Sequence, residues 1–149
     1  MIQGSILNFK IIVRDLDSSL KFYGELFGFK VAARLEFTNP DLTEVILEDR
    51  SGNRNLVLIN GDLMPAPARI PGYTPFVWKI DDTARAKSEI EAAGYAVAAG
   101  PLEFGPVGIV MVADPDGYLI ELVSGDADQI VTPPEGMKVP HPLPEIHHI

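Results

Sequence analysis

The stretch GFKVAAR at residues 28–34 recurs as GYAVAAG at residues 94–100, and this repetition decides the fold. Each copy follows a segment with helical spacing, LDSSLKFYGELF at 16–27 and TARAKSEIEAA at 83–93. Each helical segment follows a strand-like run that ends in Asp. After each repeated stretch come two further strand-like runs separated by an Asp-to-Gly turn. Self-similarity of this kind indicates two copies of one βαβββ unit.

The ends of the first helix are marked by residues that favour caps. Asp17 and Ser18 suit the N-cap region, and Gly28 suits a left-handed stop. Between them an apolar row at helical spacing predicts one buried stripe. This row consists of Leu20, Tyr23, Leu26 and Phe27.

The second helix has similar signals and a thinner apolar stripe. Asp82 or Thr83 caps its start, and Gly94 ends it. The stripe consists of Ala86, Ile90 and Ala93.

The opening strand of each copy alternates, which predicts that one face packs under a helix and the other faces the space that the sheets enclose. The packed face carries Phe9, Ile11 and Val13, and in the second copy Phe76, Trp78 and Ile80. The enclosed face carries Asn8, Lys10 and Ile12, and in the second copy Pro75, Val77 and Lys79.

These elements predict an α+β protein of two tandem βαβββ modules. The first module takes residues 1–60 and the second residues 73–123. The Pro- and Gly-rich segment 61–72 between them is typical of a linker. Residues 124–149 form a Pro-rich tail that we expect to pack on the domain or on a partner subunit.

Composition excludes several classes of function. The net charge of −9 disfavours nucleic acid and anionic membranes, because both are bound by clustered Lys and Arg. No apolar run approaches the roughly 18 residues that span a bilayer, and the N-terminus lacks the pattern of a signal peptide. The absence of cysteine removes disulfides, thiolate metal ligands and a Cys nucleophile. We therefore expect a cytoplasmic protein.

Two motifs, VRDLDSSLKFYGELFGF at 13–29 and DPDGYLIEL at 114–122, together with the doubled unit resemble the vicinal oxygen chelate superfamily. That group contains glyoxalase I, extradiol dioxygenases, fosfomycin-resistance proteins and bleomycin-binding proteins. The resemblance covers about residues 5–123 and implies the glyoxalase-like fold, in which the two modules form curled mixed sheets around a cavity. It does not specify the reaction, because this fold hosts many.

The resemblance also locates the positions at which metal-dependent members hold a divalent ion. They fall on Asn8 and Pro75 in the opening strands, and on Val57 and Glu121 in the closing strands. Proline and valine side chains provide no ligand atom, and a neutral amide is a poor ligand for first-row metals. Because only Glu121 is retained, we predict no metal centre and no cofactor, with a divalent metal as the alternative.

Five residues are candidates for contact with a ligand. Glu121 is a cavity carboxylate that acts as a ligand contact or a general base, or is a remnant paired with a lysine. Lys10 and Lys79 suit an anion-binding pocket but also suit solvent-facing strand ends. Asn8 can hydrogen-bond a ligand, and Phe104, in the predicted loop PLEFGPVG, can line the cavity mouth.

The three histidines and the DPDG turn are weaker candidates. His141, His147 and His148 lie in the tail outside the repeat, which favours a surface or interface role. Asp114 and Asp116 suit a Pro-Asp-Gly turn between strands better than catalysis.

Two hypotheses of function follow, with a homodimer expected for both. In the first, the chain binds a small organic molecule without a metal, as in the bleomycin-resistance branch, and its acidic surface steers a cationic ligand. In the second, it is a lyase, isomerase or dioxygenase-like enzyme that uses Glu121 as a base or in an atypical metal site. A third possibility is an accessory domain whose cavity is filled by side chains.

Overall fold

A computed structural model describes residues 3–61, 72–126, 129, 133–138 and 140, with the side chains of 72–76 outside this set. The chain divides into two compact units, Met1–Arg69 and Ile70–Ile149. The division falls inside the predicted linker, of which residues 62–71 lie outside the described set. No helix among the described residues is long and apolar enough to cross a membrane.

The first unit is a four-stranded mixed sheet with one helix. Its elements are β1 (Phe9–Ile12), α1 (Leu16–Phe27), β2 (Lys30–Phe37), β3 (Leu42–Glu48) and β4 (Leu56–Asn60). The strand order is β1-β4-β3-β2, with β1 parallel to β4 and the other neighbours antiparallel. The predicted βαβββ module is confirmed.

Helix α1 has the bounds of the predicted helical segment, but its N-cap precedes the residues expected to provide it. Asp15 is the N-cap, and its carboxylate accepts a 2.7 Å hydrogen bond from the Ser18 amide. The prediction of a cap at Asp17 or Ser18 is therefore wrong, because an acid in the first helical turn resembles a cap in sequence. The predicted stop is confirmed, since Gly28 lies in the left-handed region at φ 71°.

The buried side of α1 is mainly aromatic. Phe22 packs edge-on against Tyr23, with ring centroids 5.1 Å apart, and Phe27 contacts both rings. Leu20 and Leu26 of the predicted stripe are only half-buried. The stripe is therefore rotated toward Phe22 and Ser19, which are fully buried.

The second unit repeats this arrangement. Its elements are β5 (Gly72–Lys79), α2 (Thr83–Ala92), β6 (Val97–Phe104), β7 (Val107–Ala113) and β8 (Tyr118–Gly125). The strand order is β5-β8-β7-β6, with β5 parallel to β8. Asp82 caps α2 through a 2.9 Å bond from the Arg85 amide, which selects it over Thr83.

The two units share the same turn between their last two strands. Asp49 accepts, through one carboxylate oxygen, the amides two and four residues later, at 2.8 and 2.9 Å. Asp114 does the same, at 2.9 Å for both amides. The third residue after each Asp is a glycine at positive φ, Gly52 at 85° and Gly117 at 89°. The predicted Asp-to-Gly turns are thus confirmed.

The faces of the second sheet are assigned by Gly108. An added Cβ there would meet Thr83 of α2 within 3.4 Å, so Gly108 and the residues alternating with it in β7 face the helix. Val110 and Val112 on this face are fully buried, as is Ile90 of α2. The equivalent face of the first sheet also has an apolar, buried centre. Its buried members are Ile11, Val45, Leu47, Leu56 and Leu58.

The opening strands follow the predicted alternation with two differences. Phe9 lies on the helix-side face but is 53% exposed, because it begins the edge strand. Asn8 precedes β1 and is not part of it. In β5 the pairing with β8 shifts between Tyr73 and Phe76, which leaves Pro75 in an irregularity where its missing N–H is tolerated.

Little of the tail belongs to the described set. Of the apolar side chains through which the tail was expected to pack, that of Met137 is described and is 59% exposed in the single chain. The others, Val139, Leu143 and Ile146, and the three histidines lie outside the described residues.

Candidate functional site

Glu121 lies near the middle of β8 on the face of the second sheet away from α2. The register pairs it with Val77 of β5 on one side and with Met111 of β7 on the other. Its side chain is half-buried. The acid therefore has apolar neighbours on both adjacent strands. A charged or hydrogen-bonding group that contacts the carboxylate here interacts with it more strongly than at a fully solvated position.

The turn before β8 determines which way Glu121 points. Asp114 and Asp116 are buried, at 5% and 3% exposure, and the Asp114 carboxylate binds the amides of Asp116 and Tyr118. The Asp114 amide and the Tyr118 carbonyl close the hairpin at 2.9 Å. Because a slip of one residue would turn Glu121 to the other face, this turn positions the acid.

An apolar cluster lies on the same face as Glu121. Val107, Ile109 and Met111 form its buried centre. Packed around them are Ala98, Ala99, Leu102, Phe104 and Val123. Together these residues form an apolar layer on this face of the second unit, next to one carboxylate.

Phe104 and Lys79 reach this face from its two edges. Phe104 is the last residue of β6 and pairs with Val107, so its predicted placement in a loop is wrong. The Gly and Pro residues around it suggested a loop, but they lie at a register shift of β6 between Ala99 and Leu102 and in the turn after Phe104. Lys79 ends β5 opposite Val123 and is exposed.

Lys10 lies on the corresponding face of the first sheet and is engaged by an acid that the sequence analysis missed. Its ammonium lies 2.8 and 2.9 Å from the two carboxylate oxygens of Glu44 on β3. Asn8 lies two residues before Lys10 and is half-buried. The structure therefore brings Lys10 together with Glu44 in the first unit, and Glu121 with Val77, Met111 and the apolar cluster in the second.

The four positions at which the family binds metal do not provide a matching set of ligands here. Val57 pairs with Lys10 in the first sheet, and Glu121 pairs with Val77 in the second. Val57 therefore occupies the position equivalent to Glu121. Val57 is 1% exposed and offers no donor atom. Among the residues that the structure describes, no three His, Asp or Glu side chains are grouped so that they could hold a metal ion. The donor chemistry of these residues does not fit a divalent centre of the family's usual kind.

Comparison with known proteins places the chain in a family. The model of the Glyoxalase/Bleomycin resistance protein/Dioxygenase superfamily matches residues 5–122. The chain belongs to this superfamily. The predicted resemblance to the vicinal oxygen chelate group is confirmed, and so is the glyoxalase-like fold.

Individual members of the superfamily have different functions. A protein of Vibrio parahaemolyticus named "Probable lactoylglutathione lyase" is 32% identical over 133 residues, which cover 83% of this chain and 92% of that protein. FosX, a fosfomycin resistance protein of Listeria monocytogenes solved with Mn(II) and sulfate, superposes with a TM-score of 0.63 at 18% identity, over 87% of this chain and 98% of FosX. TnmS3, an antibiotic binding protein of Streptomyces sp. CB03234, gives a TM-score of 0.65 at 22% identity, over 85% and 99% of the two chains. The two structural likenesses show the fold alone.

Proposed function

We propose that this chain binds a small organic molecule without a resident divalent metal, and that Glu121 is its polar anchor. The observation that supports this most is the position of Glu121 between Val77 and Met111, beside the apolar cluster. A site of this composition binds an apolar body and fixes its orientation through one polar contact. TnmS3 shows that the fold can serve an antibiotic binding protein.

The ligand class that fits is an amine or another cation with an apolar body. A carboxylate with apolar neighbours favours a positively charged partner, and the net charge of −9 attracts cations to the protein. A hydrogen bond to a charged partner contributes about 1.5–3 kcal/mol, which corresponds to roughly 10- to 100-fold in affinity.

A melting-temperature screen of the full chain tests this proposal. The panel pairs apolar amines with their uncharged N-acetyl derivatives, because a ligand that binds the native state raises the melting temperature. At least one amine should raise it, and Glu121→Gln should weaken that amine about tenfold with little effect on its acetylated partner. Glu103→Gln is the control, since Glu103 is exposed on the other face of the same sheet. A panel in which no amine stabilises the protein contradicts the proposal.

A second candidate function is supported by the relative named as a lyase. At 32% identity over most of both chains, that relative favours an enzyme in which Glu121 is a base or a member of an atypical metal site. Formation of lactoylglutathione, measured with and without added divalent ions, tests this candidate. Turnover that Glu121→Gln removes would establish the enzyme, whereas turnover equal to the background in both proteins supports the binding function.

We also propose that the chain forms a homodimer. Three apolar residues at the start of the first unit are strongly exposed in the single chain: Ile6 at 75%, Leu7 at 80% and Phe9 at 53%. Light scattering should give twice the chain mass. Leu7→Ser should shift this value toward the monomer if the segment lies in the interface, and a monomeric wild type contradicts the proposal.

A further inference from the structure

The Lys10–Glu44 ion pair spans two strand spacings on the first sheet. β4 lies between β1 and β3, so the two backbones are roughly 10 Å apart. The register places Lys10 beside Val57 and Glu44 beside Ile59. The two side chains therefore meet over β4, on the face away from the helix.

The two members of the pair differ in exposure. The Glu44 side chain is 17% exposed, whereas the Lys10 side chain is 46% exposed. Both oxygens of Glu44 already face the ammonium. The Lys10 ammonium has three N–H donors and is the more exposed member of the pair. A molecule that approaches the pair therefore meets a hydrogen-bond donor.

The second unit shows that this face can be built without the pair. Its register places Val77 where the first unit has Lys10, and Ile109 where the first unit has Glu44. Replacing a partly buried ion pair by apolar residues is often neutral or stabilising. The stability of the sheet therefore does not explain why the first unit carries charges here.

Exposed apolar side chains flank the pair on the same face. Leu35 lies opposite Glu44 and is 42% exposed, and Phe37 lies opposite Leu42 and is 44% exposed. Because Glu44 neutralises Lys10, a small inorganic anion gains little here. A molecule that joins an acidic group to an apolar body gains from both features.

We infer that Lys10, restrained by Glu44, is the anchor of a binding site for amphiphilic organic anions such as aryl or alkyl carboxylates and sulfonates. Lys10 binds the acidic group, Leu35 and Phe37 contact the apolar body, and Glu44 sets the selectivity against inorganic anions. The site rests on the first unit alone and does not depend on the function proposed for Glu121.

A matched pair of fluorescent probes tests the site on the full chain. 8-Anilinonaphthalene-1-sulfonate carries a sulfonate, and N-phenyl-1-naphthylamine has the same aromatic body without it. The double variant Lys10→Val/Glu44→Ile copies the second unit and keeps the net charge. It should bind the sulfonate about tenfold more weakly and the neutral probe within about twofold of wild type.

Glu44→Gln gives a result that a merely structural ion pair would not. Removing the neutralising charge should tighten binding of the sulfonate about threefold or more and leave the neutral probe unchanged. Glu36→Gln is the control for charge, because it removes the same negative charge from an exposed residue that pairs with Arg34 on the other face of the same sheet. Equal changes for both probes, an unchanged sulfonate affinity in the double variant, or no binding of the sulfonate to wild type would each overturn the inference. The probe affinities are measured independently of the amine screen for Glu121.

Discussion

Val57 occupies in the first sheet the place that Glu121 occupies in the second. Each lies next to the opening strand of its own unit, Val57 beside Lys10 and Glu121 beside Val77. At equivalent positions of the repeat, the first unit has a charged residue on its opening strand and the second unit has one on its closing strand. Glu121 therefore has no acidic equivalent in the first unit, and this difference supports binding without a metal.

Ser19 of α1 offers a test of the helix–sheet packing. Its side chain is fully buried, and its hydroxyl oxygen has no hydrogen-bond partner in the described part of the protein. Counted from the N-caps, the equivalent residue of α2 is Ala86. Since a buried, unsatisfied hydroxyl is unfavourable, Ser19→Ala should leave the free energy of unfolding unchanged or raise it by about 1 kcal/mol.

Denaturant unfolding measures this change. Ser88→Ala on α2 is the control for helix propensity, because Ser88 is exposed and donates to the Ala84 carbonyl at 3.2 Å. If Ser19→Ala lowers the free energy of unfolding by more than about 1 kcal/mol, the hydroxyl makes a stabilising hydrogen bond in the native protein.

Gly28 and Gly94 form a matched pair at the ends of the two helices. Both lie at positive φ, 71° and 85°, where an L side chain costs about 1–2 kcal/mol. A Cβ on Gly28 would also collide with the Arg50 side chain, whereas a Cβ on Gly94 would meet nothing within 4 Å. Gly28→Ala should therefore lower the free energy of unfolding more than Gly94→Ala. Equal losses would show that Arg50 moves aside freely.

The repeated Asp turn predicts a difference between the units. Asp49→Ala and Asp114→Ala each remove an acceptor for two backbone amides. Asp114 is buried and Asp49 is partly exposed, so water replaces the lost acceptor only at Asp49. We expect Asp114→Ala to cost about 2 kcal/mol and Asp49→Ala less than half of that, measured by urea unfolding. A larger loss for Asp49→Ala would contradict this explanation.

Asp15 makes stability depend on pH. Hydrogen bonds from the Ser18 hydroxyl and the Ser18 amide hold the pKa of the Asp15 carboxyl below its ordinary value. A lowered folded-state pKa means that the unfolded chain takes up the proton first. The stabilisation is therefore complete above the unfolded value of about 3.9 and is lost as the pH falls through the folded-state pKa.

Asp15→Asn isolates this effect, because asparagine also caps helices but does not titrate. Thermal melts between neutral pH and the acid range should show a shallower loss in Asp15→Asn than in wild type, with similar melting temperatures at neutral pH. Parallel curves would show that the Asp15 charge does not contribute to acid unfolding.

The fold was predictable because the sequence contains two copies of the same βαβββ pattern. The repeated GFKVAAR and GYAVAAG stretches, the glycine stop of α1 and the Asp-to-Gly turns are local signals, and each is read within a few residues. Errors arose where a local signal is ambiguous. Asp17 resembles a cap although Asp15 provides it, and Phe104 is surrounded by turn residues although it ends a strand.

The positions of the candidate site residues were predictable only in part. Lys10 and Glu121 follow from alternation along their strands, but Glu44 is 34 residues from Lys10 in the chain. A single acid in an alternating strand has the same sequence pattern whether it faces solvent or a distant lysine. Only the strand order, which places β1 and β3 on either side of β4, brings the two charges together.

The metal content of the protein is the most direct test of whether it lacks a resident divalent metal. Protein purified without chelators and then equilibrated with Zn²⁺, Ni²⁺, Mn²⁺ and Fe²⁺ is separated from free ions and analysed by mass spectrometry. With Asn8, Val57 and Pro75 at three of the four family ligand positions, we predict far less than one ion per chain, and no difference between wild type and Glu121→Gln. One tightly held ion per chain that Glu121→Gln removes would contradict the account.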